Sequence, residues 1–346
     1  MMKVPLLSII IPAYNAAHSL PKIVTTILKE SFKDFELLLV DDGSTDETLK
    51  VIRGLASKDK RIIVRAQRNR GPSSARNTGL LKARGSYIQF YDADDAIIPG
   101  SLQTIMTAAL ETKADVVVSG HTVLSESNGK AIKTISPEKT TKTGDEIIPF
   151  VTRSIGHDGR LYNLWNKLFR AEIIHQHNLT FREDLRFGED LVFALHYFKH
   201  AHTITTIPNV TYSYVSSATN GVFSSSSIVP EYRLTNDQEL TAFVGEERDP
   251  ELEDLYQWVR WRWLLSYWTL VARSNLPQNE KLNRIKSVSA VSYGVAKTPE
   301  YIGKRKYRIE HTTKRLTWSP KAALAFATLL AQLRQGVMNA KSFAKR

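Results

Sequence analysis

Two clusters of aspartates follow apolar runs. Asp92, Asp94 and Asp95 lie in YIQFYDADDAIIPG, and Asp41 and Asp42 open DDGSTDET after FELLLV. Carboxylates gathered in one place raise one another's pKa values and resist ionising unless something positive sits among them. Mg²⁺ or Mn²⁺ would supply that charge, since these hard cations commonly take one or two carboxylates plus the phosphates of a substrate. The plainer alternative is that the aspartates form turns and cap helices. Capping accounts for Asp41 to Asp46 ahead of a helix, and for Asp95 as a cap or turn before Pro99-Gly100. It does not account for Asp92 and Asp94 sharing a site with Asp41 and Asp42.

Sharing a site requires elements that bring them together. Residues 6–12, 35–40, 62–66, 87–91 and 116–119 are short apolar runs rich in β-branched residues. Helical segments separate them. One starts at Ser19-Leu20-Pro21, with Ser as the cap and Pro in the first turn; one runs from the acidic turn to about Ala56; two more cover residues 73–83 and 101–111. Continuous apolar strands alternating with helices predict a parallel α/β sheet covered on both faces. Ligands bind such sheets beyond the carboxyl ends of the strands. Those ends carry Pro12-Ala13-Tyr14-Asn15, Asp41-Asp42-Gly43-Ser44, Arg68-Asn69-Arg70-Gly71 and Asp92-Ala93-Asp94-Asp95, so polar and aromatic groups converge on one edge.

Residues 125–143 are polar and lysine-rich and read as a loop or excursion. A second α/β stretch follows in LYNLWNKLFRAEII, FGEDLVFALHYF and TITTIPNVTYSYV. SSATNGVFSSSS then interrupts the pattern with the small polar residues of a mobile loop. A domain boundary is placed just after it, near Ser227. From Pro230 onward the chain reads helical. Leu252, Leu255, Val259, Trp263, Tyr267 and Leu270 recur at spacings of three and four, and Trp258, Trp261, Leu265 and Trp268 widen that face. A helix apolar nearly all round belongs inside a bundle or at a homo-oligomer interface. No internal repeat is visible.

Composition sets outer bounds. With 346 residues the chain can bury a sizeable core, and with no cysteine it has no disulfide, thiolate nucleophile or Cys-based zinc site. The histidines show no ligand spacing; His175 and His177, two apart, point to different sides of a helix as surface or hydrogen-bonded residues, so zinc is not expected. The N-terminal apolar run breaks at Pro12 without a small-residue cleavage site, which predicts a first strand rather than a signal peptide. No apolar segment approaches the roughly 18 to 20 residues of a membrane span, and a cytoplasmic protein is expected. Of the net charge of +12, residues 297–346 contribute twelve Lys/Arg against two Glu, a local net charge of +10. That basic tail points to an anionic partner. GKRKYRIEHTTKR carries no nucleic-acid motif. A polyanionic acceptor, or the anionic inner face of the plasma membrane touched peripherally through KAALAFATLLAQLRQGVMNAKSFAKR, fits it better; lysines that merely keep a helical bundle soluble fit it equally.

SIIIPAYN, LLVDDGSTDET, RNRGPSSARNTGL and YIQFYDADD, in this order and spacing, resemble the inverting family 2 glycosyltransferases of GT-A fold, of the kind that builds bacterial cell-wall, teichoic-acid or exopolysaccharide polymers. FGEDLVFALHYF extends the resemblance to about residue 215. It implies an α/β GT-A catalytic domain over residues 1–227, Rossmann-like with a mostly parallel sheet flanked by helices, and a basic all-helical C-terminal domain over 228–346 for acceptor binding, oligomerisation or membrane association. It also implies transfer of a hexose or N-acetylhexosamine from a nucleotide sugar, first of all a UDP-sugar, to a hydroxyl of a cell-surface polysaccharide, teichoic acid or lipid-linked precursor. Asp92 and Asp94 would be the DxD motif holding Mn²⁺ or Mg²⁺ on the donor diphosphate. Pro12 and Tyr14 would line the nucleobase pocket, with Asp41 or Asp42 bonding uracil or ribose. Asn69, Gly71 and Arg76 would complete the nucleotide site, Arg76 touching base or phosphate.

Inversion needs a carboxylate base opposite the leaving group. The resemblance implies that Asp190 in GED would take that role, with Glu189 in reserve; otherwise both acids merely start a helix, where they suit the dipole. Lys167 in LWNKLF is placed near acceptor or phosphate, or as a solvated lysine beside a buried Trp165. Residues 216–227 are a candidate lid. Two other readings compete. A Mg²⁺-dependent phosphohydrolase of the HAD type would need a second acid two residues after its nucleophile, where Gly43 stands. A non-catalytic module on the same scaffold would bind polyanion or polysaccharide through the tail.

Overall fold

The computed structural model describes residues 4–157, 159, 161–216, 232–289 and 319–343. The chain separates into two compact units, Met1–Asn220 and Gly221–Arg346. The boundary expected near Ser227, residues 217–227 of the candidate lid and the stretch GKRKYRIEHTTKR lie outside the described residues.

The first unit is built on β1 (Leu7–Ala13), β2 (Phe35–Asp41), β3 (Ile62–Ala66) and β4 (Tyr87–Phe90), paired parallel in the order β3-β2-β1-β4. Ile9, Ile10 and Ile11 are all fully buried because helices cover both faces. Ile9 and Ile11 join the core with Ile23 and Ile27 of α1 (Leu20–Lys29) and Leu102 and Ile105 of α4 (Ser101–Thr112). Ile10 faces α3 (Pro72–Leu80), where a Cβ on Gly79 would lie 2.4 Å from its Cγ2. Burying one such side chain is worth about 1.5–3 kcal/mol. The single acid in FELLLV is explained at the opposite end of the sheet from the acidic turns: Glu36 is buried and accepts from Ser8 Oγ at 2.7 Å and Arg84 Nη2 at 2.6 Å. Ser19 stands at the start of α1 but its side chain makes no cap bond; Pro21 is in the first turn as expected. The acidic turn leads into α2 (Thr48–Ala56).

The sheet is mostly parallel and flanked by helices, as the resemblance implies, with antiparallel members beyond β4: β9 (Lys167–Arg170) lies between β4 and β6 (Val116–Ser125) and runs antiparallel to both. β10 (Thr203–Ser216) then pairs parallel to β6 and antiparallel to the two-residue β5 (Ala96–Ile97). Residues 125–143, read as a loop, contain β7 (Ala131–Ile135) and β8 (Thr140–Thr143), which pair with β6 and β10. Both are largely exposed, so backbone pairing holds them and no apolar alternation announces them. The unit is completed by α5 (Ile147–His157), α6 (Ala171–Gln176) and α7 (Glu189–Phe198).

The second unit holds α8 (Tyr232–Val244), α9 (Pro250–Arg273), α10 (Gln278–Ser289) and α11 (Pro320–Phe343). Asp249 caps α9 by accepting from Leu252 N at 2.9 Å, with Pro250 in the first turn. The tryptophan-rich α9 buries Trp261, Leu264, Tyr267 and Trp268 against Ile285 and Val288 of α10 and Ala323, Leu324 and Ala327 of α11. Among the described residues no helix is long and apolar enough to cross a membrane.

Candidate functional site

The carboxyl ends of β1, β2 and β4 lie side by side. At β1, Tyr14 is exposed and Asn15 takes φ +49°. The Asn15 side chain accepts from Thr45 N at 2.9 Å, and its backbone N–H donates to Ser44 Oγ at 3.0 Å, which locks the β1 loop to the acidic turn. Nothing in the sequence beyond its place after PAY pointed to Asn15.

Asp41 and Asp42, equivalent by sequence, differ in the fold. Both are buried. Asp42 accepts from Gln67 Nε2 at 2.8 Å, Arg70 N at 3.0 Å and Gly71 N at 2.8 Å, so it shapes the loop that contains Asn69. Among the described residues Asp41 takes only Ser44 N, at 3.4 Å, and its Oδ1 has no partner. A buried acceptor without a donor is costly, and the nearby turn leaves room only because residue 43 is Gly. At φ +69° a Cβ there would lie 2.5 Å from Asn69 N. Within the turn, Asp46 accepts from Thr48 N at 2.9 Å, while Glu47 at the cap position of α2 makes no side-chain cap bond.

The DADD segment follows β4. Asp92 accepts from Arg76 Nη2 at 2.9 Å. Asp94 is exposed and makes no ion pair among the described residues; desolvation and the charge of Asp92 push its pKa up. Asp95 is neither a cap nor a free turn residue. It is buried and accepts from Tyr212 Oη at 2.7 Å and Val215 N at 2.8 Å, which ties the segment to β10. Burial, then the charge of Asp92, pushes the Asp95 pKa up to about 8.

Arg76, on α3, is the junction. Its guanidinium is buried, stands 5.5 Å over the Phe181 ring, and meets Asp92, Glu189 at 3.4 Å and Asp190 at 3.2 Å. Glu189 and Asp190 open α7 after Gly188, so the helix-start reading holds for their backbone while their charges face Arg76. Phe193 of α7 stacks on Phe181 at 4.1 Å and meets Phe90 of β4 edge-on at 5.7 Å, fixing the helix against the sheet. Desolvation pushes Asp190 up to about 7 despite Arg76, with Glu189 and Asp92 adding to the rise.

Lys167 is not a solvated lysine. It is fully buried at the start of β9, donates to Asn166 Oδ1 at 2.9 Å and to Asn163 O, and desolvation lowers its pKa to about 7 while Asp190 opposes the fall. Trp165 beside it is buried as expected. His177 stacks on His200 with centroids 3.6 Å apart, away from these carboxylates in the fold at the ends of α6 and α7.

Residues 8–168 match the model of Glycosyl transferase family 2. These residues belong to that family. The assignment displaces the phosphohydrolase reading. The glycosyltransferase domain and its continuation are similar to EpsJ of Bacillus subtilis, described as an uncharacterized glycosyltransferase, at 33% identity over 214 residues, covering 61% of each chain. They are also similar to TarS of Staphylococcus aureus, a poly(ribitol-phosphate) beta-N-acetylglucosaminyltransferase, at 27% identity over 65% of this chain. The chain spans 61% of the length of EpsJ and 38% of that of TarS. The crystal structure of TarS 1-349 in complex with UDP-GlcNAc superposes with TM-score 0.67 at 20% identity, over 95% of this chain and 92% of that one, which shows a shared GT-A fold.

Proposed function

We propose that the chain is an inverting glycosyltransferase that moves a hexose or N-acetylhexosamine from a UDP-sugar to a hydroxyl of a cell-surface polysaccharide, teichoic acid or lipid-linked precursor. The observation that carries this reading is the Arg76 junction, where the acidic turn after β4 and a desolvated carboxylate on α7 converge on one guanidinium. An acid held near pH 7 is matched to proton abstraction at neutral pH. Asp190 would take the proton of the acceptor hydroxyl as that oxygen attacks, with Glu189 in reserve, and Arg76 would keep the carboxylate aimed.

On the donor side, the unpartnered Asp41 Oδ1 fits the N3–H of uracil, and Asp42 acts through the loop containing Asn69 and Gly71. Tyr14 and Pro12 would cover the base. Asp92 and Asp94 fit Mn²⁺ or Mg²⁺: they are hard oxygen donors, and Asp94 carries no compensating cation among the described residues. No group of three His, Asp or Glu among those residues makes a cage of its own, so diphosphate oxygens would complete the coordination. Such an ion would stabilise the departing diphosphate. TarS, whose name denotes a poly(ribitol-phosphate) acceptor, supports an anionic polymer as the acceptor class, and the basic C-terminal unit suits one. Residues 221–346 would then serve acceptor handling, self-association or contact with an anionic membrane surface.

The test is calorimetric binding and nucleotide release with a panel of nucleotide sugars, with and without Mn²⁺, for wild type and Asp94→Ala. Metal-dependent binding of one UDP-sugar, lost in the variant, is expected. Folded protein that binds no nucleotide sugar in either condition would overturn the reading in favour of a polymer-binding module.

A further inference from the structure

Four aromatic rings form a row beside the DADD segment. Tyr91 stacks on Tyr212 with centroids 5.4 Å apart and planes at 17°, Tyr212 on Trp165 at 4.5 Å and 10°, and Trp165 on Tyr214 at 6.1 Å and 8°. The inner rings are buried and clamped: Tyr212 donates to Asp95, and His121 meets the Trp165 ring edge-on at 4.6 Å. Tyr214 ends the row. It is part-buried, its hydroxyl has no hydrogen bond among the described residues, and Trp165 is its ring partner. Burial and then the charges of Asp95, Asp94 and Asp92 push its pKa up, so its phenol stands within the field of all three carboxylates.

We propose that the Tyr214 end of this row is a saccharide subsite, where the CH face of a pyranose ring stacks on an immobilised aromatic platform. This rests on the transferase reading and deepens it. The physical fit has three parts. An aromatic face is the negative side of a quadrupole, and it attracts the polarised CH groups of a sugar ring. The hydroxyls at the rim of that sugar are donors, and Asp92 and Asp94 offer acceptors alongside. The clamps on Tyr212 and Trp165 mean that little side-chain freedom is lost on binding, which favours affinity. The pyranose belongs either to the donor or to the acceptor, and the two are separable.

Saturation-transfer NMR on the full chain, irradiating aromatic protons, tests the subsite without requiring turnover. One arm uses UDP-glucose, UDP-galactose and UDP-N-acetylglucosamine with Mg²⁺. The other uses the corresponding methyl β-glycosides in the presence of UDP and Mg²⁺. The expected result is transfer to sugar CH protons in one arm, reduced at least threefold in Tyr214→Ala and restored by Tyr214→Phe, while uridine signals stay unchanged. The arm that responds identifies donor or acceptor sugar. Circular dichroism confirms folding of each variant. Sugar signals that survive in folded Tyr214→Ala, or are absent in both arms, overturn the subsite. Absence of uridine signals from wild type sinks the transferase reading instead, and the methyl glycosides then still decide the fate of the platform.

Discussion

Arg76 Nη2 stands 2.9 Å from Asp92 Oδ1, joining a helix that begins after the loop containing Asn69 to the acidic turn sixteen residues later. The other arm of the same guanidinium reaches Asp190, so one buried cation serves both halves of the site. Removing one partner of a buried ion pair leaves uncompensated charge and costs about 3–5 kcal/mol. Arg76→Ala is therefore expected to lower the melting temperature and reduce turnover at least about a hundredfold. Arg76→Lys, which cannot address two carboxylates with a planar fork, should restore folding more than activity. Thermal denaturation and initial rates check both.

The pH profile follows from Asp190. A base works deprotonated, so activity should be lost as pH falls through about 7, the value to which desolvation raises this group against Arg76, with Glu189, Asp92 and Lys167 also acting on it. The stability sign is opposite. A folded pKa above the unfolded one favours the protonated form, so the contribution to stability is present at low pH and is lost as pH rises through about 7. Asp190→Asn is expected to abolish transfer, to keep UDP binding, and to be at least as stable as wild type at pH 8. A flat rate profile between pH 5.5 and 8 would sink this assignment of the base.

Asp41 and Asp42 should separate in a pair of variants. Asp42→Ala strips the acceptor from Gln67 Nε2, Arg70 N and Gly71 N, and unsatisfied buried donors cost about 1–3 kcal/mol each. A drop in unfolding free energy of a few kcal/mol is expected from chemical denaturation. Asp41→Asn removes a carboxylate whose Oδ1 bonds nothing among the described residues, so stability should hold while calorimetric affinity for UDP falls about tenfold or more.

Gly43→Ala meets two obstacles, a backbone φ of +69° and Asn69 N at 2.5 Å from the new Cβ. Backbone atoms cannot rotate away as a side-chain tip would. The variant is expected to lose about 1–3 kcal/mol of stability and most of its nucleotide affinity, read by the same two measurements.

Trp268 is fully buried in the second unit. Truncation of a core tryptophan costs about 3–5 kcal/mol. Trp268→Ala should lower the unfolding temperature of the helical unit, and hydrogen exchange should place the lost protection in α9, α10 and α11.

The β1, β2, β3 and β4 strands were legible because burial on both faces demands near-continuous apolar runs, and that demand is written locally. The acidic clusters were legible for the same reason: each follows a strand end, and parallel strands bring such ends to one edge. So the family and the fold class could be read from residues 6–95 and the FGEDLVFALHYF motif. What tertiary structure decided is everything that depends on partners far along the chain. β7 and β8 are held by backbone pairing with mostly exposed side chains, so they left no local apolar signature, and the direction of β9, antiparallel to β4 and β6, is set by pairing with strands far along the chain. Asp95 resembled a turn former until Tyr212 came to it across 117 positions, and Lys167 resembled a surface charge until the fold enclosed it. Arg76 could be singled out by sequence, but its contact with Glu189 spans 113 positions. Local periodicity records which residues are buried, whereas which charges share a burial place is set only when distant segments pack.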